Sequence, residues 1–187
     1  MSIKTLVKDH FSNSPISEHL EYFFPHNHEN NISKPIFTDN KLNIRRFALK
    51  DLDECSVLFK QVFSSSPWYD EWVSLDQTKT YLNELVKNPV FDGFVICEAS
   101  KVVGTCLGHS RSWWMGKEFF IDEFFVANDR QGEGMGTKLL DCVSEYLNKE
   151  GYTRLTLLTN KKIPAEKFYL KNGFYNNPQR TIMIRDL

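Results

Sequence analysis

No stretch of this sequence is apolar for long enough to cross a membrane, and the opening MSIKTLVKDH has no apolar signal core. A cytoplasmic protein without a membrane partner is the expectation. Charge of one sign is also missing: 23 Lys and Arg against 24 Asp and Glu leave a net charge of -1, which argues against general nucleic-acid binding. Cysteine is sparse. Cys55, Cys97, Cys106 and Cys142 have no paired spacing, so free thiols are expected, with neither a disulfide framework nor a zinc site. The phosphate-loop pattern G-x-x-x-x-G-K-[ST] is absent. The dinucleotide pattern G-x-G-x-x-G is missed because the third glycine of the run comes one residue early. No internal repeat appears.

What remains is a chain that can fold. Of its 187 residues, 41% are hydrophobic and 14% aromatic, enough for one compact domain with a terminal extension. The chain is organised around residues 118–140, EFFIDEFFVANDRQGEGMGTKLL. An apolar strand carries Asp122 and Glu123 in its middle. A turn follows with Gly132, Gly134 and Gly136 at every second position, and then a helix begins. The first N–H groups of a helix lack partners within it, and its dipole is positive at that end. Glycines there let an anion approach the backbone closely.

The loop reads Gln131, Gly132, Glu133, Gly134, Met135, Gly136, which fits Q/R-x-x-G-x-G/A. A second pattern, A-x-x-F-Y-x-x-x-G-F, is met by Ala165, Phe168, Tyr169, Gly173 and Phe174, one helix and one strand later. With both motifs in order, residues 42–185 resemble the acetyl-CoA-dependent N-acetyltransferases of the GNAT superfamily. In the central strand the likeness is closest to polyamine and aminoglycoside 6'-type enzymes. The resemblance implies an α/β fold: a mixed, mostly antiparallel sheet whose two central parallel strands splay apart, flanked by helices. It implies a GNAT domain over 41–187, with 1–40 as an N-terminal extension.

The rest of the pattern agrees with that order. Leu42–Phe47 reads as a strand, and Asp51 with Glu54 resembles a capping box. Cys55, Leu58, Phe59, Val62 and Phe63 form one helical face. Ser74 is placed to cap a second helix with Tyr81, Leu82, Leu85 and Val86. Strands Phe94–Cys97 and Val102–Gly108 meet at a short turn. The SWWMGK loop then leads to the central strand, Glu118–Val126. Beyond the glycines, Leu139, Leu140, Val143, Tyr146 and Leu147 mark a helix ending near Gly151. Leu155–Leu158 reads as a buried strand parallel to Glu118–Val126, in a right-handed crossover. A helix over Pro164–Lys171 and a closing strand at Thr181–Ile184 complete the sheet. Earlier, Ile16, Leu20, Phe23 and Phe24 can share a helix face, and His26 with His28 reads as a solvated loop.

The implied reaction is direct acyl transfer from a thioester to an amine. The amine must lose a proton, the carbonyl must be polarised, and the departing thiolate must be neutralised. By resemblance, Tyr169 is the candidate general acid; the alternative is that it only packs beside Phe168. Asp122 is the candidate base. It lies four residues before Val126 and so shares its strand face, while Glu123 faces the other way unless a bulge re-aims it. Glu123 stays a second candidate, as base or substrate anchor. A structural pairing with Lys or Arg is the alternative for either acid. The cofactor is acetyl-CoA. Main-chain groups of Phe124, Phe125 and Val126 should meet its pantetheine arm, and Gln131, Gly132, Glu133, Gly134, Met135, Gly136 and Thr137 its pyrophosphate. Asn160 and Phe168 complete that set; Lys162 stands where the family often has asparagine. Trp68, Tyr69 and Trp72, then Trp113 and Trp114, are candidates for the acceptor site, where aromatic faces and carboxylates suit a cationic amine. They equally suit covering the end of the sheet. The expected partner is a small-molecule amine, with no metal required and a homodimer left open. A non-catalytic acyl-CoA-binding regulator on the same fold is the alternative.

Overall fold

The computed structural model describes residues 34–39 and 41–187. The expected helix face of Ile16–Phe24 and the loop with His26 and His28 lie outside them. A six-stranded sheet runs in sequence order through β1 (Phe37–Thr38), β2 (Leu42–Arg46), β3 (Phe91–Glu98), β4 (Lys101–Trp113), β5 (Gly116–Val126) and β6 (Tyr152–Leu157). All neighbours are antiparallel except β5 and β6. Helices α1 (Leu52–Phe63) and α2 (Leu75–Val86) precede β3; α3 (Met135–Lys149) links β5 to β6; α4 (Pro164–Lys171) follows β6. The pairing of β1 with β2 begins the sheet slightly before the expected domain boundary at residue 41.

Each helix buries the face that its periodicity marks. Cys55, Leu58, Phe59, Val62 and Phe63 of α1 join Leu82, Val95, Leu107 and Phe125 in one core. Leu139, Leu140, Val143 and Leu147 of α3 join Phe94, Cys106, Phe119 and Ile121 in the core on the other side. Ser74 caps α2 by accepting from the Gln77 N–H at 3.0 Å. Ala99 and Ser100 both take positive φ, as a two-residue hairpin turn between β3 and β4 requires. The α3 helix ends before Gly151, whose φ is 80°. All four cysteines are free.

Three expectations are corrected. Asp51 and Glu54 form no capping box. The Asp51 carboxylate takes a two-pronged bond from Arg45, at 2.6 and 2.8 Å, and one from the Ala48 N–H. Glu54 instead accepts the Val102 N–H at 3.0 Å. A half-buried arginine outcompetes a local cap because it neutralises the buried acid as well as bonding it. Second, Thr181–Ile184 is not a strand: Ile182, Met183 and Ile184 are exposed. Apolar β-branched residues favour a strand only where a pleated, half-buried partner surface receives them. Here the tail lies elsewhere, with the Arg180 guanidinium over the Trp113 ring. Third, β6 is half-buried and not fully covered, as suits an edge strand, and Leu158 is exposed beyond its end.

Two interruptions of the β5 ladders position the site. On the β4 side, Leu107 pairs with Glu123 while Gly108 pairs with Ile121, so Asp122 is an extra residue, a bulge. On the β6 side, pairing runs from Lys117↔Tyr152 to Ile121↔Leu157 and then stops. From Glu123 to Val126, β5 is paired with β4 alone, which is the expected splay.

Gly108 allows the first interruption. A Cβ there would lie 2.2 Å from the Phe120 carbonyl oxygen and 2.7 Å from the Phe119 ring. Backbone cannot give way as a flexible side chain can. Gly108→Ala should therefore cost about 3 kcal/mol, as overpacking does, and lower Tm by roughly 6–12 °C for a chain of this size. Thermal unfolding checks this; an unchanged Tm would show that the bulge does not need that close approach.

Candidate active site

The bulge decides which way the two acids look. Phe119 and Ile121 pack on the α3 side, yet Phe125, four residues after Ile121, packs on the α1–α2 side. Unbroken alternation would put them together. The extra residue at 122 reverses the phase and turns Glu123 toward α2, where its carboxylate accepts the Tyr81 phenol at 2.5 Å. Asp122 does not share the face of Val126, which packs on the α3 side. It turns to His109 of β4, with Nδ1 and the carboxylate 2.7 Å apart. The cause is the one-residue slip, which sequence alternation cannot show.

Burial pushes the Glu123 carboxyl up to about 7; the Tyr81 bond opposes this, and the nearby charges of Asp122 and Asp70 add to it. Burial likewise raises the Tyr81 phenol, with Glu123 adding to the effect. Tyr169 is enclosed by Phe124, Phe168 and Phe174, with ring centroids 5.3–6.2 Å away. Desolvation raises its phenol well above the usual range, and the Cys106 thiol and Glu123 contribute. The Glu123 charge thus reaches the Tyr169 phenol across the fork in the sheet.

The glycine turn has the form the sequence implies. Gly132 and Gly134 both have φ of 81°, and a Cβ on either would meet nothing within 4 Å. Gly134 is the residue before α3, so no side chain caps that helix, and its first turn holds no acid. Bare N–H groups at a positive helix end, open on one side, fit a pyrophosphate. Glu133 and Gln131 are exposed, whereas Met135 is buried and anchors the turn. Gly136 serves packing: its missing Cβ makes room for the Phe168 ring, 3.2 Å away, which stacks on Phe124. The Val126 carbonyl is already taken by the Gln131 amide at 3.0 Å, so that group is removed from the edge open to a ligand. Asn160 is exposed in the loop before α4.

The aromatic candidates divide. Trp72 meets Phe59 edge-on and packs at a tilt against Tyr81, placing it one ring from Glu123. Trp68 packs on Phe63 in the same core, while Tyr69 is exposed. Trp113 and Trp114 sit at the tip of the β4–β5 hairpin, where Trp113 pairs with Gly116. That is six residues of β4 from Leu107, the partner of Glu123, or about 20 Å along the strand. The structure does not bring them to the acids. Sequence reasoning missed Tyr81 as a site residue, because it reads as one more apolar position on α2. It also missed His109, which counting back from the Gly116 turn would have set opposite Phe120. A surface cleft of about 840 Å³ between α1 and residues 127–130 contains neither acid nor Tyr169.

The profile of the acetyltransferase (GNAT) family matches residues 53–174. This chain belongs to the GNAT acetyltransferase family. It is therefore an N-acetyltransferase enzyme, and acetyl-CoA is the donor its family uses. No curated protein matches it in sequence. Solved structures share the fold. An aminoglycoside acetyltransferase, meta-AAC0020, from an uncultured soil metagenomic sample, in complex with sisomicin, aligns with a TM-score of 0.63 at 21% identity, covering 80% of this chain and 98% of that one. Aminoglycoside N-acetyltransferase AAC(6')-Iy in complex with CoA aligns at 0.62 and 17%, covering 80% and 97%. Ribosomal-protein-alanine N-acetyltransferase from Brucella melitensis biovar Abortus 2308 aligns at 0.62 and 14%, covering 78% and 99%.

The raised Glu123 carboxyl links the site to stability. A folded-state value near 7 against an ordinary value of 4.5 means the folded protein holds a proton that the unfolded chain has released between those pH values. That contribution is complete below pH 4.5 and is lost as pH rises to 7, an effect of roughly 3 kcal/mol. Relative to the native protein, Glu123→Gln should gain stability by about that much between pH 4.5 and 8. Urea unfolding at the two pH values measures it. A constant difference would mean the carboxyl titrates normally.

Proposed function

We propose that this acetyltransferase moves an acetyl group directly from acetyl-CoA to a primary amine of a small cationic substrate, without a covalent enzyme intermediate. The observation that carries this reading is the cluster at the fork: Asp70, Asp122 and Glu123 around Tyr81 and Trp72, beside the unpaired edge of β5. Carboxylates and aromatic rings together attract an ammonium ion. Two of the structural neighbours are aminoglycoside acetyltransferases, enzymes of small amine-bearing molecules, which supports a small acceptor.

Glu123 takes the proton of the amine in this reading, because it is desolvated, held by one phenol, and poised near neutrality. Asp122, bonded to His109, faces the same amine. Tyr169 keeps its proton at neutral pH and donates it to the departing thiolate. Bound acetyl-CoA supplies the activated acetyl group. The N–H groups from Gly132 to Thr137 hold its pyrophosphate, and main-chain groups of Phe124 and Phe125 on the open edge orient its arm.

A panel of amines screened for CoA release tests the activity, and acceptance of none would sink the substrate class. Tyr169→Phe should lower kcat by about a hundredfold or more, the usual worth of a general acid, with CoA affinity within twofold. Unchanged turnover would remove Tyr169 as the acid. Glu123→Gln should cost about as much. The native kcat/KM should rise with pH through about 7, following release of the Glu123 proton. Gly134→Val should weaken CoA binding at least tenfold in calorimetry, since it puts a side chain into the open space of the turn and strains a left-handed backbone.

A further inference from the structure

Behind Asp122 runs a chain of hydrogen bonds that points one way. The Arg111 Nε–H donates to His109 Nε2 at 3.3 Å. An arginine cannot accept a hydrogen bond, so Nε2 of His109 must be the lone-pair nitrogen. The ring proton then sits on Nδ1, 2.7 Å from the Asp122 carboxylate, and is donated to it. Three features hold the ring in that pose. Arg111 is itself pinned, with its guanidinium 4.2 Å above the Phe120 ring. Phe120 packs on His109, with centroids 5.3 Å apart. His109 and Phe120 are direct partners across the β4–β5 ladder, next to the bulge that frees Asp122. His109 and Asp122 are each about four-fifths buried at the side chain, so water competes little for this contact.

We propose that His109 is a positioning residue for acetyl transfer: backed by Arg111, it fixes the Asp122 carboxylate so that its other oxygen faces the acceptor amine beside Glu123. This rests on the acid pair acting as proposed above, and it adds a division of labour. Glu123, on a phenol, exchanges the proton; Asp122, on an imidazole N–H, is held as an oriented acceptor. An unsupported carboxylate on a bulge would sample several rotamers, and ordering it at binding would cost affinity. Among the described residues, the recorded partners of the His109 ring are Asp122 and Phe120 from β5 and Arg111 from its own strand.

Two measurements test this, and the first needs no turnover. Long-range ¹H–¹⁵N NMR of the histidine side chains at pH 8, with His109 assigned by its loss in His109→Asn, should show a neutral ring with its proton on Nδ1. A proton on Nε2 would overturn the proposal whether or not the enzyme acetylates a given amine. The second is kinetic. His109→Leu should raise the acceptor KM about tenfold while the acetyl-CoA KM stays within twofold. His109→Asn, whose amide N–H stands near the Nδ1 position, should recover the acceptor KM to within threefold. In an Asp122→Asn background, His109→Leu should have no further effect, because its action runs through Asp122. Equal effects in both backgrounds, or a rise in both KM values, would reduce His109 to a structural role. If Asp122→Asn alone changes nothing, the acid reading fails while the tautomer result stands.

Discussion

The site depends on a slip of one residue between β4 and β5. Opposite Leu107, β5 spends two residues, Asp122 and Glu123, where regular pairing would spend one. A regular strand would leave one of these acids on the α3 side, among Phe119, Ile121 and Leu139, with no polar partner and a heavy desolvation cost. The slip turns Glu123 toward Tyr81, and Asp122 toward His109, so each finds a donor. It also restores the phase for Phe125, which fills the α1–α2 core. One local irregularity thus lets a strand carry two charged groups through its middle without breaking either core.

The second constraint is where β6 stops pairing. Because the parallel ladder ends at Ile121↔Leu157, the acids stand where the sheet forks and not under a closed sheet. The βαβ connection sets this up. The residues after Val126 must climb into α3, and the N-terminus of α3 then opens at the same fork. The Gln131 amide bonded to the Val126 carbonyl ties the glycine turn to the end of β5. Phe168 wedged between Phe124 and Gly136 ties α4 to both. The glycine turn, the free strand edge and Tyr169 are fixed to one another by these two contacts.

Much of this was legible in the sequence because it is periodic or local. The stripes of α1 and α3 need only 3.6-residue spacing, and the glycine turn and the Ala165–Phe174 pattern are contiguous. The bulge stood there only as an alternative that would re-aim Glu123. FFIDEFFV alternates as well in either phase, and only the constraint at Gly108, in another strand, selects one. His109 and Tyr81 were missed for the same reason: each gains meaning from a partner in a different element. Thr181–Ile184 failed in the opposite sense, since its pattern suits a strand and the structure gives it no ladder. The resemblance and their aromatic chemistry made Trp113 and Trp114 candidates, but the length of the hairpin sets them about 20 Å along β4 from the partner of Glu123.

In the proposed reading, the same physical effect gives Tyr169 and Glu123 opposite duties. Desolvation raises both the Tyr169 phenol and the Glu123 carboxyl, and the Glu123 charge adds to the rise of the phenol. Raised from an already high value, the phenol is locked as a proton donor at neutral pH. Raised to about 7, the carboxyl is left able both to take a proton and to release it. The proposed acid and base then need no separate device: one buried fork acts on groups that begin about six pH units apart. What it cannot assign is direction among two adjacent carboxylates. That falls to their hydrogen-bond donors, a phenol for Glu123 and an imidazole for Asp122, and both donors are held by elements packed around the bulge.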